Sequence, residues 1–303
     1  MEGLNNEIQS ELTEQDLEDR EDFLYLLSIM EQQRAVGVTQ PLDYKDAITY
    51  RDSLQSFCEQ EAPEGSVTVL FNDIIFDFDG VLYDSTYSVY RALELTLDKK
   101  ADKKIPIPAS VEEIANSYQA PFQDYYRRFG ISLNTPEELA SFKDTYREVQ
   151  TQVNNEHHTP AALYPEVKNV LDKIKEAKQD NPNLKIHIIS AGSEKYIKEV
   201  LVKENIGDDF DEIHADCHDK SAMIQSIADK GVTREKTVMI GDLPSDIKDA
   251  KQVEGVRTIA VARGTDEYER LGMYLPDYIV KDLGGILDLR SYSKELREED
   301  NHE

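Results

Sequence analysis

The chain of 303 residues has 39% hydrophobic and 31% charged side chains, enough apolar material for one large domain or for a core domain with an insertion. Its 61 acidic and 34 basic residues leave a formal net charge of −27, which disfavours nucleic-acid backbones and anionic membranes as partners. No apolar run approaches the ~20 residues that span a bilayer. The acidic opening "MEGLNNEIQSELTEQDLEDR" has neither the basic nor the apolar region of a signal peptide, and Cys58 and Cys217 read as two reduced thiols, so a cytoplasmic location is expected.

Residues 1–66 read as an acidic helical extension; residues 1–64 hold 16 Asp/Glu against 4 Lys/Arg. "EDFLYLLSIMEQQR" sets Phe23, Leu26, Leu27 and Met30 on one helical face, and "PLDYKDAITYRDSLQSFCEQE" sets Ala47, Leu54, Phe57 and Cys58 on another. A homodimer contact or a protein partner is the expected use of residues 1–64. "APEG" breaks the pattern. "SVTVLFNDIIFDFDG" is β-branched and aromatic and predicts strand, with "FND" marking a turn between two strands.

Residues 86–183 show helical spacing throughout, in "YSVYRALELTLDKK", "FQDYYRRFG", "PEELASFKDTYREVQTQVNNE" and "PEVKNVLDKIKEAKQ", and no strand is expected among them. Beyond residue 183 the pattern alternates. "LKIHIIS", "FDEIHA", "KTVMIG", "RTIAVA" and "DYIV" predict strands, with helices over "SEKYIKEVLVKEN", "DKSAMIQSIADKG" and "SDIKDAKQVE" between them. Strand–helix alternation implies a Rossmann-like parallel sheet with helices on both faces. The core is therefore assigned to 67–85 and 184–290, with an α-helical cap inserted at 86–183 and a polar tail at 291–303.

Ligands of open parallel sheets bind at the carboxyl ends of the strands. There the first strand carries Asp77 and Asp79, the second Ser190, and the fourth Asp242 with Asp246 one helical turn on; Lys220 follows the third. Burying one unpaired carboxylate costs several kcal/mol. Asp77, Asp79 and Asp242, with no cationic residue near them in sequence, call for a cation, and oxygen ligands with room for water suit Mg2+. Asp84 reads as a cap for the turn after the first strand. In the insertion, Tyr118, Gln119, Arg127 and Arg128 are candidates for meeting a substrate's distal anionic group, although a solvated helix face is the simpler reading. His157 and His158 read as loop residues, and Cys217 with His218 lacks the second pair that a zinc site needs.

The set "DFDGVLYDS" (Asp77–Ser85), Ser190 of "IIS", Lys220 of "DKSAMI" and "GDLPSD" (Gly241–Asp246) resembles the four motifs of the haloacid dehalogenase superfamily over roughly residues 70–285. The helical insertion after the first motif resembles its capped members, such as phosphoglycolate phosphatases and β-phosphoglucomutases. The resemblance implies Asp77 as a nucleophile forming an aspartyl-phosphate and Asp79 as general acid–base. It implies Mg2+ held by Asp77, the backbone carbonyl of Asp79 and Asp242, with Asp246 binding directly or through water. Ser190, Ala191 and Lys220 would hold the phosphoryl group, with Arg127 a further substrate contact. Aspartate at position 79 goes with phosphatases and phosphomutases rather than dehalogenases. Ser221 stands after Lys220 where capped relatives usually carry proline. A Mg2+-dependent phosphatase acting on a small phosphomonoester metabolite is therefore expected. A sugar phosphomutase is the alternative from the same family, and a partner-binding protein acting through the N-terminal helices is the alternative from another class.

Overall fold

The apolar run before Asp77 forms β1 (Asp73–Phe76), buried at every position. It lies at the centre of a six-stranded parallel sheet of order β5-β4-β1-β6-β7-β8, with β4 (Lys185–Ile189), β5 (Glu212–His214), β6 (Thr237–Gly241), β7 (Arg257–Val261) and β8 (Tyr278–Val280). The chain runs outward from β1 through β4 and β5, then returns to the other side of β1 for β6, β7 and β8. The strand order therefore reverses beside β1, which places a crevice at its carboxyl end. The computed structural model describes residues 62–110, 114, 122–156, 161–217, 219–263 and 268–294. These all belong to one unit, 60–303. The helices expected before residue 62, together with Tyr118, Gln119, His157, His158, His218 and the tail beyond 294, lie outside the described residues.

Alternation sorts the strand residues between two apolar layers. Ile74, Phe76, Ile186, Ile188, Val238 and Ile240 join one cluster; Ile75, Ile189 and Met239 join the other. Four helices cover these faces: α5 (Val167–Asp180), α6 (Glu194–Glu204), α7 (Lys220–Ala228) and α8 (Pro244–Lys251). Ile224 and Ile227 of α7 and Ala250 of α8 pack on the second layer.

The insertion has a core of its own. Helices α2 (Thr86–Lys100), α3 (Phe122–Arg127) and α4 (Pro136–Glu156) gather Tyr90, Leu93, Leu97, Tyr125, Tyr126 and Phe142. The Tyr126 and Phe142 rings lie 4.3 Å apart, a contact worth about 0.5–1.5 kcal/mol beyond burial.

Three elements depart from the sequence reading. Val67–Leu70 closes a single helical turn, α1, instead of a strand: Val69 and Leu70 donate to Ser66 O at 2.9 and 3.1 Å. A strand would turn Val67 and Val69 to the same face. The turn buries Val67 completely and leaves Val69 76% exposed. Second, the expected run of helices is interrupted at Ala162–Leu163 (β3), which pairs antiparallel with Tyr83–Asp84 (β2). This two-stranded ribbon joins cap to core. Third, α5, counted with the 86–183 insertion by its sequence position, buries Val167, Val170, Leu171 and Ile174 in the sheet's own cluster. The insertion as a separate layer therefore ends at the ribbon. Among the described residues no helix is long and apolar enough to cross a membrane.

Edge strand β5 is tied in by Asp211, which accepts Ile186 N–H at 2.8 Å and pairs with Lys178 of α5 at 2.7 Å. Burial raises the Asp211 pKa, but the Lys178 and Ile186 hydrogen bonds outweigh it, and the group lies below the usual carboxylate range. Its contribution to stability is present above the unfolded-state pKa and disappears as pH falls through the folded one. Asp211→Ala should cost about 1 kcal/mol at pH 7, a low figure because the pair is partly exposed and screened. In urea titrations the wild type and variant should converge as the pH is lowered into the acid range.

Candidate active site

Asp77 is the first residue after β1, and its N–H donates to Ile240 O of β6 at 2.9 Å, so the sheet hydrogen bonding continues one step past the strand. That contact fixes where the side chain emerges. Asp242 follows the last residue of β6, and the adjacency of β1 and β6 places the two carboxylates side by side. Asp246 sits in the first turn of α8, where its Oδ2 accepts Leu243 N–H at 3.1 Å. All three are at most 5% exposed, and oxygens from each lie within 4.8 Å of one another.

Lys220 opens α7, a position where the helix dipole disfavours a cation. Two carboxylates offset this, Asp246 Oδ1 at 2.7 Å and Asp77 Oδ2 at 2.9 Å. Burial pulls the Lys220 pKa down, but Asp246 and Asp77 dominate and raise it, so the ammonium stays charged. Ser221, in place of the relatives' proline, donates to Asp219 Oδ1 at 2.8 Å; the same oxygen caps α7 through Ala222 N–H at 3.0 Å.

One ammonium does not neutralise three buried carboxylates. Burial pushes Asp77 up to about 7, with Lys220 opposing and Asp246 adding repulsion. The donor set fits a hard divalent cation: an all-oxygen cluster with two negative charges left uncompensated. The three carboxylates form a metal-binding triad. Backbone geometry protects it. Gly80 has φ +80°, and a Cβ there would lie 2.0 Å from Asp242 Oδ2.

Asp79 lies two residues past Asp77 and lines the same cavity. Its Oδ1 accepts hydrogen bonds from Ser85 Oγ at 2.5 Å and Tyr196 Oη at 3.1 Å. Burial raises its pKa, and the two hydroxyls only partly oppose this. Phe78 between the acids is buried and packs edge-on against the Tyr196 ring, so the core holds the loop from behind. Ser190, at the end of β4, is 2% exposed; its Oγ accepts Gly192 N–H at 3.0 Å and keeps its proton for another acceptor. Ala191 lines the cavity beside it.

The cavity, about 560 Å³, is lined by residues of both core and cap. It brings together Asp77, Asp79, Ser190, Ala191, Lys220 and Asp242. Asp246 lies just behind, against Lys220. Arg127 and Arg128 are exposed and are not among the cavity-lining residues, because the buried face of α3 and the turn after it carries Tyr125, Tyr126 and Phe129 instead. The cap's basic residues at the cavity are Lys143 and Arg147 of α4. Asp84 does not cap the turn: it is an exposed residue of β2 opposite Ala162. Ser85, Tyr196, Lys143 and Arg147 were missed in sequence. Only Ser85 had a usable signal, its place at the end of the first motif.

A parallel sheet with a carboxylate triad and a lysine at its carboxyl edge, under an inserted helical cap, defines a capped α/β hydrolase. Residues 74–261 match the haloacid dehalogenase-like hydrolases. The chain is 23% identical over 222 residues to a putative pyrophosphatase PpaX of Caldanaerobacter subterraneus, across 71% of this chain and 93% of that protein. It is 25% identical over 229 residues to a phosphoglycolate phosphatase of Aquifex aeolicus, across 71% and 96%. Its fold matches the crystal structure of a putative haloacid dehalogenase-like hydrolase from Bacteroides fragilis, with TM-score 0.58, 21% identity and coverage of 71% and 99%. The chain belongs to the haloacid dehalogenase-like hydrolase family.

Gly80→Ala should displace Asp242 and weaken divalent-cation binding about 10–100-fold. Isothermal titration with Mn2+ checks this, with circular dichroism to verify that the fold persists.

Proposed function

We propose that the protein is a Mg2+-dependent phosphatase that hydrolyses a small phosphorylated metabolite through an aspartyl-phosphate on Asp77. The observation that carries this is the pairing of two unlike carboxylates on one cavity. Asp77 is gripped by Lys220 at 2.9 Å, whereas Asp79, two residues on, is held by hydroxyls alone.

Asp77 carboxylate oxygen attacks phosphorus, and Asp79, its pKa raised by burial, gives its proton to the leaving oxygen. Asp79, now ionised, takes a proton from water, whose oxygen attacks the phosphorus of the acyl-phosphate. Inorganic phosphate leaves and Asp77 is restored. Lys220 donates to the phosphoryl group throughout, and Ser190 Oγ donates to another of its oxygens; such fixed donors supply most of the catalysis in phosphoryl transfer. Asp77, Asp242, Asp246 and the backbone carbonyl of Asp79 would hold Mg2+, directly or through water, and the ion would neutralise developing charge on the phosphoryl oxygens.

The names of the two relatives, putative pyrophosphatase and phosphoglycolate phosphatase, point to a small substrate with a second anionic group. Lys143 and Arg147 on the cap side of the cavity supply a complement for such a group here. Hydrolysis is favoured over phosphomutase chemistry by these relatives' names.

The purified protein should hydrolyse an aryl phosphate in the presence of Mg2+, with turnover lost on chelation and on Asp77→Asn. Turnover that survives Asp77→Asn would sink the nucleophile assignment. Arg147→Ala should raise KM about tenfold, ~1.4 kcal/mol, for substrates with a second anionic group. It should leave aryl phosphate kinetics nearly unchanged, as steady-state comparison of the two substrates would reveal. Tyr196→Phe removes a hydrogen bond that favours ionised Asp79. The limb of the pH–rate profile governed by Asp79 should move upward, with kcat falling more than KM changes.

A further inference from the structure

A second cluster of ligating side chains lies on the sheet face, away from the carboxylate triad. His187, in the middle of β4, is 2% exposed. Its Nε2 lies 3.1 Å from Asp73 Oδ1 on β1, and Asp73 is itself 4% exposed. The other ring nitrogen, Nδ1, is buried and makes no hydrogen bond. It faces Glu212 Oε2 at 3.9 Å, beyond hydrogen-bond range. Glu212 is the register partner of His187 across the β4–β5 ladder. His214, two residues on and therefore on the same face, places Nε2 3.0 Å from the same Glu212 oxygen. The ligand atoms of His187, Glu212 and His214 all lie within 4.8 Å of one another.

With Asp73 Oδ1 as the partner of an Nε2–H, the Nδ1 lone pair is left facing the Glu212 carboxyl. A carboxylate behind the outer nitrogen of a histidine is the arrangement that orients metal-ligating imidazoles. We infer that His187 Nδ1, His214 Nε2 and Glu212 form a second metal site, selective for a zinc-class ion, which clips edge strand β5 to β4.

Bonds of ~2.0–2.1 Å in a tetrahedron put neighbouring ligand atoms about 3.3 Å apart. The two nitrogens' separations from Glu212 Oε2, 3.0 and 3.9 Å, bracket that value. The Glu212 and His214 side chains are 41% and 22% exposed, so they can adjust and leave a fourth position to water. Two imidazoles and one carboxylate favour Zn2+ or Co2+ over Mg2+, whereas the all-oxygen triad of Asp77, Asp242 and Asp246 has the opposite preference. The site also bears on the cavity, because Ser190 N–H donates to His214 O at 3.0 Å. A metal at His214 would fasten the strand that positions the Ser190 loop. Neither this assignment nor its test depends on the phosphatase reading.

The test is a Co2+ titration of the full chain in excess Mg2+, followed by visible absorption. One equivalent should give an intense tetrahedral band that Zn2+ abolishes. Zn2+ should also raise the thermal midpoint. His214→Ala, and separately the conservative Glu212→Gln at its more exposed position, should lower Co2+ affinity at least tenfold and abolish the Zn2+ shift, with circular dichroism unchanged. Asp242→Asn should keep the band. A wild type without the band overturns the assignment, as does a band that persists in both His214→Ala and Glu212→Gln. A band lost with Asp242→Asn overturns it too, since the ion would then be in the carboxylate triad.

Discussion

Mutual repulsion among Asp77, Asp242 and Asp246 is the constraint around which the rest of the structure is arranged. Two unit charges 4 Å apart repel by about 4 kcal/mol even at an effective dielectric near 20. The cluster is tolerable because Lys220 is driven between two of its members at 2.7 and 2.9 Å, and because a divalent cation fits its oxygens. Two of the acids are also held by backbone: Asp77 through Phe78 N–H at 2.7 Å, Asp246 through Leu243 N–H at 3.1 Å. The charges are thus fixed before any ligand arrives, which is what electrostatic catalysis requires.

The same loop that carries Asp77 and Asp79 leads into the cap. Gly80 N–H donates to Tyr83 O at 2.9 Å, Tyr83 pairs with Leu163 in the ribbon, and Ser85 reaches back to Asp79. The entry strand of the cap and the acid that lines the cavity therefore share one short stretch of backbone. Tyr196, from the helix after β4, closes the arrangement from the core side by holding the same Asp79 oxygen. Ser85, next to β2, is thus in direct contact with Asp79.

Much of the core was legible because burial on both faces leaves a clear signal: β4, β6, β7 and β8 are largely apolar runs, and all four strands were recognised. "VTVL" was misread because β-branched composition argues for strand, whereas the choice was made by Val67, which the core accepts while excluding Val69. The ribbon strand Ala162–Leu163 went unseen because two residues carry no periodicity. In the site, acids at strand ends could be found from pattern alone. Arg127 drew attention as a cap cation, yet the cavity faces α4 and its Arg147.

Sequence by itself determined the alternation of strand and helix, the positions of the acids, Ser190 and Lys220 at strand and helix ends, and the interruption of the core by a helical insertion. These follow from local periodicity and from a chain order that crossovers translate into a parallel sheet. Only the tertiary structure decided which cap residues face the cavity, that Ser85 and Tyr196 share one oxygen of Asp79, and that Asp73, His187, Glu212 and His214 meet on one face. Those relations join residues as far apart as 117 and 114 positions in Tyr196–Asp79 and His187–Asp73. Strand pairing and packing set such contacts, and no local pattern encodes them.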